Sequence, residues 1–309
     1  MKVLSSSGKD DIATVYLGQF ENNKYVEFVE SVQPPIPREN KWVLIISTLF
    51  GCPIGCPICD AGGFYKGKLT KEQLLAQIDY LVTKRYPDKK VPAAKFKIQF
   101  ARMGDPAFNP HIIELLKELP SLYDAPGLMP CISTVAPVST DKFFEELLEV
   151  KQELYNDSFQ MQFSIHTTDI AQRDRLIPVK KWNFTQIAEY GARFHREGER
   201  KIALNFALAE GSEIDTQTLI SNFDPEIFLI KVTPVNPTYS SAKNNIKSRI
   251  NSDNEQNELM QAIKDAGYDT IVSIGELKEN DIGSNCGQYV RRHLNATEKM
   301  KAAYSIAGE

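Results

Sequence analysis

The 309-residue chain has no hydrophobic run long enough to cross a bilayer. The strongest, residues 43–50, falls far short of the roughly 20 apolar residues a membrane helix needs. The opening residues, Met-Lys-Val-Leu-Ser-Ser-Ser-Gly-Lys-Asp-Asp, carry no apolar core of a secretory leader. Positive charge is not in excess. Lysine and arginine total 36 against 40 acidic residues, a net charge of −4, so whole-molecule attraction to a nucleic-acid backbone is excluded. Local basic faces remain open, at Lys84/Arg85, Lys89/Lys90 and Arg291/Arg292, although charge runs are usually solvated faces. Cysteine is too sparse, at five residues, for a secreted disulfide scaffold. There is no internal repeat and no low-complexity segment. These absences predict a soluble, cytoplasmic protein without a membrane partner.

What is present is an alternation of short apolar strands with amphipathic helices. Residues 12–17 and 25–29 read as a β-hairpin turning at Glu21-Asn-Asn-Lys24, and Pro34, Pro35 and Pro37 then interrupt regular structure. From Lys41 onward, strands are expected at 42–47, 95–101, 128–133, 160–166, 201–207 and 227–233, with a short one at 270–273. Helices lie between them, and Thr70 is placed to cap the first. Such an order implies βαβ units, a parallel sheet and right-handed crossovers, with ligands at the C-terminal strand ends. The predicted fold is α/β: a partial (β/α)6 barrel over 41–290, a β-rich extension over 1–40 and a tail over 291–309.

Three of the five cysteines crowd the loop after the first barrel strand, at Cys52, Cys56 and Cys59, spaced C-x3-C-x2-C among Gly51, Gly55, Gly62 and Gly63. Thiolates are the usual ligands of iron–sulfur clusters, and glycines let backbone N–H groups turn toward the sulfides. Three thiolates would leave one iron of a [4Fe–4S] cluster without a protein ligand. Two other readings exist. Three inert buried cysteines could fill a tight turn, or a zinc ion could be closed by Cys131 or Cys286, although zinc sites usually come as CxxC pairs.

The same spacing on the loop after the first barrel strand resembles the signature of the radical S-adenosylmethionine (radical SAM) superfamily. Further motifs follow in order: Ser47-Thr-Leu-Phe-Gly-Cys, Met103-Gly-Asp-Pro106, Ile132-Ser-Thr134, Phe163-Ser-Ile-His166, Arg173-Asp-Arg-Leu-Ile-Pro178, Pro234-Val-Asn-Pro237 and Gly283-Ser-Asn-Cys-Gly-Gln288. Together they resemble the ribosomal-RNA adenine C2 and C8 methyltransferases over residues 26–290. The resemblance implies a [4Fe–4S] cluster whose open iron chelates S-adenosylmethionine (SAM), reduced by a donor such as flavodoxin or ferredoxin. It implies SAM contacts at Gly104, Asp105, Ser133, Ser164, Ile165, His166 and Asn236. Asp105 is one methylene shorter than the family's glutamate. By the same resemblance Cys286 is methylated by one SAM and carries the methyl group that becomes the new carbon bond. Glu30 takes the place of the family's proton acceptor, with Glu27 as a rival. Taken alone, several of these residues would read as ordinary turns or strand ends.

Two departures from the family stand out. Ile45 occupies the position of a second cysteine that releases the product. Cys131, the one cysteine left unassigned, shares strand parity with Ser133 and reads either as a small buried residue or as a substitute thiol. The second departure is that only about 40 residues precede the barrel, with no counterpart of the family's N-terminal helical domain. The expectation is therefore a C-methyltransferase working through S-methyl-Cys286 on a substrate other than 23S rRNA. The substrate class (small molecule, peptide or RNA) stays open. The alternatives are direct hydrogen abstraction from a small molecule or peptide, an rRNA or tRNA adenine methyltransferase, and a non-catalytic cluster- or zinc-binding protein.

Overall fold

In the computed structural model, described here for residues 1–32, 34–249, 253–273 and 286–306, one ten-stranded sheet runs through the chain in sequence order. It begins with an antiparallel meander of β1 (Lys2–Lys9), β2 (Ala13–Phe20) and β3 (Lys24–Ser31). The β2–β3 turn places Asn22 and Asn23 at φ 58° and 53°, a left-handed conformation that asparagine tolerates. The expected hairpin is therefore present, with β1 as an additional strand. β3 then pairs antiparallel with β4 (Trp42–Ile46), in the register Val29–Ile45, so the extension and the barrel share one sheet.

From β4 the sheet is parallel through β5 (Phe96–Phe100), β6 (Leu128–Thr134), β7 (Gln160–Ser164), β8 (Ile202–Leu208), β9 (Phe228–Pro234) and the short β10 (Thr270–Val272). The strands are joined by α1 (Lys71–Arg85), α2 (His111–Leu122), α3 (Asp141–Val150), α4 (Ile170–Leu176), α5 (Phe184–Phe194), α6 (Thr216–Asn222), α7 (Tyr239–Lys243) and α8 (Asp253–Asp265). A last helix, α9 (Gln288–Ile306), begins ahead of the expected tail boundary. Thr70 closes a capping box with Gln73, which satisfies orphan N–H groups at the start of α1. No helix among the described residues is long and apolar enough to cross a membrane.

Strand alternation sorts the side chains between the two faces of the sheet. Trp42, Leu44, Ile46, Phe96, Ile98, Phe100, Phe163, Leu204 and Phe206 pack into one core with Leu74, Ile78, Leu81 and Val82 of α1 and the apolar stripes of the later helices. The intervening residues, among them Lys97, Gln99, Cys131, Gln160, Gln162, Asn205 and Lys231, lie on the face away from those helices and are mostly polar. The parallel strands thus alternate instead of reading as continuous apolar runs, because only one face is sealed by helices.

Alternation also separates the two candidate carboxylates. Glu27 and Glu30 are three apart on β3 and so point to opposite faces. Glu30 lies on the helix face, where it accepts from Arg85 Nε at 2.5 Å and from Tyr16 Oη at 2.6 Å, with Lys84 Nζ at 3.6 Å. This corrects the expectation for Glu30: it is a buried tie between β3 and α1, not a group at the strand ends. It also occupies Lys84 and Arg85, and Lys89 pairs with Asp79. These parts of the supposed basic patches are therefore matched by acids. Arg85→Ala should cost about 2–3 kcal/mol in urea denaturation, because it strips one partner from a buried carboxylate that Lys84 and Tyr16 still face. Glu30→Gln should leave any catalytic activity of the folded protein within about twofold of wild type, which a role in proton transfer would not allow.

Candidate active site

The cysteine loop leaves β4 under tight restraint. Gln77 of α1, fully buried, accepts from Ser47 N at 2.9 Å and donates to Ser47 O at 3.0 Å, and Ser47 Oγ donates to Glu27 O. Thr48 N and Leu49 N both donate to Met103 O, at 2.8 and 3.0 Å, which binds the loop to the segment after β5. Cys52 N donates to Ala61 O at 2.7 Å and closes the loop on itself. Gly55 and Gly62 meet backbone to backbone: a Cβ on Gly62 would lie 2.9 Å from Gly55 Cα.

The three half-buried thiols lie near one another and resist ionisation. Burial pushes Cys52 up to about 11 and Cys56 up to about 12, and raises Cys59 well above the usual thiol range, with neighbouring thiols adding to the shift. Backbone N–H groups of Ile54, Gly55 and Asp105 oppose this at the Cys52 sulfur, as does that of Ala61 at Cys59. Three half-buried thiols approached by backbone N–H groups suit a multinuclear cation that would take up their charge. Among the described residues no three His, Cys, Asp or Glu side chains converge closely enough to hold a single metal ion. A cubane, with its irons at separate corners, asks for wider spacing than zinc does, so the donor set fits a [4Fe–4S] cluster.

Cys286 lies against this loop. Its carbonyl accepts from Asp60 N at 3.2 Å and sits 3.7 Å from Cys59 Sγ, while its own Sγ is 3.5 Å from Ala101 O at the end of β5. Gly287 follows at φ +82°, and a Cβ there would come within 2.1 Å of Ala61 N, so the close approach requires glycine. The motif residues Gly283, Ser284 and Asn285 lie outside the described residues.

Two buried carboxylates fix the segment. Glu27 accepts from Gly287 N, Tyr289 N and Val290 N at 2.5, 2.9 and 3.0 Å, capping the N-terminus of α9, and pairs with buried Arg102 at 2.8 Å. Asp60, next to Cys59, accepts from Tyr239 N, Ser240 N and Ser240 Oγ, and from Arg291 Nη1 at 3.0 Å. Arg291 is thus also no free basic patch. Burial raises the Cys286 thiol, and the adjacent Arg102 guanidinium pulls it back down. Asp60 and Arg102 did not stand out in the sequence, Gly287 appeared only inside the Cys286 motif and Arg291 only as part of a charge run. Adjacency to Cys59, to Met103-Gly104 and to Cys286 was the only available signal.

The other expected site residues lie at the C-terminal strand ends. Gly104 adopts φ +89°, and a Cβ would collide with Leu49 at 2.4 Å. Asp105 is buried and turned into the protein, accepting from Thr134 Oγ1, Val135 N and Ala107 N at 2.7, 2.8 and 2.9 Å. It braces the ends of β5 and β6, and burial raises it to about 6. Ser133 and Ser164 are half-buried on the polar face, whereas the Ile165 side chain is buried in the helix-facing core and brings only its backbone to the site. His166 is held at φ +68°, and its Nδ1 accepts from Ala207 N at 3.2 Å. Asn236 is exposed in the loop after β9, which crosses the cysteine loop through Thr238 Oγ1 to Ile58 O at 3.0 Å and Asn244 Nδ2 to Pro57 O at 3.0 Å. Ile45 packs against a small apolar cluster of Ile12, Ala13, Val15 and Val29, which Tyr289 of α9 also covers. Cys131 is buried lower on the polar face, with Sγ 3.6 Å from Met129 O and 3.9 Å from Gln160 Oε1. The register Ile45–Gln99–Cys131 sets it level with Ile45 but two strands away.

The site is thus a thiol-bearing loop at the C-terminal end of a parallel sheet, with a further cysteine folded over it. No protein-family model matches the chain. It is 25% identical over 269 residues to a protein of Desulfitobacterium hafniense named probable dual-specificity RNA methyltransferase RlmN, covering 85% of this chain and 71% of that one. It is 22% identical over 297 residues to the protein of the same name from Petrotoga mobilis, covering 94% and 78%. Its fold superposes on the crystal structure of a radical SAM methyltransferase from Sphaerobacter thermophilus with a TM-score of 0.71 at 17% identity, over 93% of this chain and 80% of that one. These likenesses in sequence, together with the shared fold, support an RlmN-like radical SAM family.

Burial pushes His166 down to about 4, helped by nearby Arg173, so the ring is neutral at pH 7 and free to accept from Ala207. The unfolded chain binds a proton near pH 6.5 and the folded one only near pH 4, so this group's contribution is full above pH 6.5 and lost as pH falls toward 4. The stability difference between wild type and His166→Asn, which tolerates the left-handed backbone, should shift against wild type by about 3 kcal/mol between pH 7 and 4 in urea titrations. A difference independent of pH would refute the buried neutral imidazole.

Proposed function

We propose that the chain is a radical SAM C-methyltransferase that works through S-methyl-Cys286, on a substrate other than 23S rRNA. The observation that carries this reading is the position of Cys286, folded over the cysteine loop and fixed there by Glu27 and Asp60. Cys52, Cys56 and Cys59 would hold a [4Fe–4S] cluster. With SAM and an electron from a flavodoxin- or ferredoxin-like donor, such a cluster would supply a 5′-deoxyadenosyl radical.

The chain's own part begins at Cys286. Its thiol loses a proton and attacks the methyl carbon of SAM; the carbon–sulfonium bond breaks, leaving S-methyl-Cys286 and S-adenosylhomocysteine. Arg102 favours the thiolate, while Glu27 keeps Arg102 and the start of α9 in place. Gly104 permits close backbone approach beside the loop. Ser133, Ser164, His166 and the backbone of Ile165 offer polar contacts to SAM, and Asn236 reaches it from the loop after β9. Asp105 acts by holding Thr134 and Val135 at the wall, since its oxygens are engaged there. Acid partners for Lys84, Arg85, Lys89 and Arg291 favour a substrate other than a large structured RNA. Because Ile45 bears no thiol, release of the methylated product must use a group elsewhere.

Protein produced with its cluster intact and incubated with SAM should carry one additional CH2 on the Cys286 peptide by mass spectrometry. Cys286→Ala should lose that mass yet keep the iron content and brown colour. With SAM deuterated in its methyl group, deuterium should enter 5′-deoxyadenosine. An unmodified Cys286 in cluster-loaded protein overturns the proposal, and deuterium arriving only from labelled substrate assigns direct hydrogen abstraction instead. Glu27→Gln should slow Cys286 methylation about tenfold or more, because it unfastens three N–H groups and Arg102 together.

A further inference from the structure

The polar face of the sheet carries two lysines, Lys97 and Lys231, that form no ion pair with a carboxylate among the described residues. Lys97 on β5 is 8% exposed and donates from Nζ to Gln160 Oε1 at 2.7 Å, reaching across β6. Lys231 on β9 donates from Nζ to Gln162 Oε1 at 3.2 Å, reaching across β8. Both partners are neutral amides, and among the described residues neither ammonium forms an ion pair with a carboxylate. The two lysines lie close enough to repel: burial first, and then Lys97 and Lys41, push Lys231 down to about 8. Asn205 stands in register between Ser164 and Lys231, is 8% exposed, and its Oδ1 has no hydrogen-bond partner.

Each of these features costs free energy in the protein by itself. A buried cation without a counter-ion costs desolvation, two together add repulsion, and an unpaired buried amide oxygen loses a hydrogen bond. A bound molecule would relieve all three if it brought negative charge to Lys97 and Lys231 and a donor to Asn205. We infer that this face holds an anion site for the phosphate or carboxylate group of a small-molecule substrate. This rests on the reading of Cys286 as methyl carrier and names the class of its acceptor. Cys286 Sγ touches Ala101 O, and Lys97 lies four residue steps back along the chain, roughly 13 Å of strand. A lysine side chain extending toward the thiol shortens that span, so the substrate would place its reacting carbon at Cys286 and its anionic end deeper on the same face. Asn205 would accept from a hydroxyl or amine of that molecule. The deep placement of Lys97 suits a compact ligand better than a polymer crossing the surface.

Binding can be measured on the full-length protein by equilibrium dialysis with inorganic phosphate and with malonate, alongside a short single-stranded RNA. At least one small anion should bind saturably, and the one that does tells phosphate from carboxylate. Lys97→Met and Lys231→Met should each weaken it about tenfold, Lys231→Arg should restore most of the affinity, and Lys142→Met, on the exposed face of α3, should leave it unchanged. Melting curves separate lost binding from lost folding: each Met variant should melt at or above the wild-type temperature, since it removes a repelling charge. Cys286→Ala should bind the anion as wild type does, so failed Cys286 methylation with intact anion binding sinks only the methyl-carrier reading. Failure of both anions to bind saturably, or binding indifferent to Lys97 and Lys231, overturns the site. Lysine-dependent binding of RNA alone overturns the small-molecule assignment in favour of a nucleic acid.

Discussion

The Glu27 carboxylate holds the active end of the protein together. It takes three backbone N–H groups from the start of α9 and the Arg102 guanidinium from the end of β5, all in a region closed to water. A buried carboxylate is costly unless every lone pair is used, and here one is used to join three parts of the chain far apart in sequence. Without it, Cys286 would have no fixed position over the cysteine loop, and Arg102 would be a buried charge facing a thiol. Asp60 performs the matching task from the other side, drawing the loop after β9 and Arg291 of α9 onto the residue that follows Cys59.

Much of this could be read from the chain before any coordinates. The parallel strands announce themselves because their helix-facing residues are apolar and regularly spaced, and Thr70 carries its capping partner three residues on. The cysteine spacing depends only on local sequence, so the loop was legible as well. β1 was not, since Leu4-Ser5-Ser6-Ser7 has little strand propensity and forms by pairing with β2. The last helix and its anchors were not legible either. Glu27, Asp60, Arg102 and Arg291 gain their meaning from partners up to 263 positions away, which no window of sequence contains.

The choice between Glu27 and Glu30 shows how much hangs on register. Both are glutamates on one strand, and resemblance to a family cannot separate them when the spacing to the cluster loop differs. Pairing Val29 with Ile45 separates them, because alternation then sends Glu30 to α1 and Glu27 to the opposite face beside Cys286. Asp105 teaches a related lesson. Its place in the motif suggests a ligand contact, yet its short side chain turns inward to brace Thr134 and Val135.

The meander at the start of the chain has a consequence for how the molecule coexists with its own copies. β4, which delivers the cysteine loop, would be the outermost strand of the parallel sheet if β3 did not lie beside it, and a bare, apolar border strand invites another chain to add to it. The meander moves that border outward to β1, a strand carrying three serines in a row with a lysine at each end and mostly exposed to water. Such a strand is a poor template for intermolecular pairing, and it keeps the strand that delivers the cysteine loop out of reach of edge-to-edge aggregation.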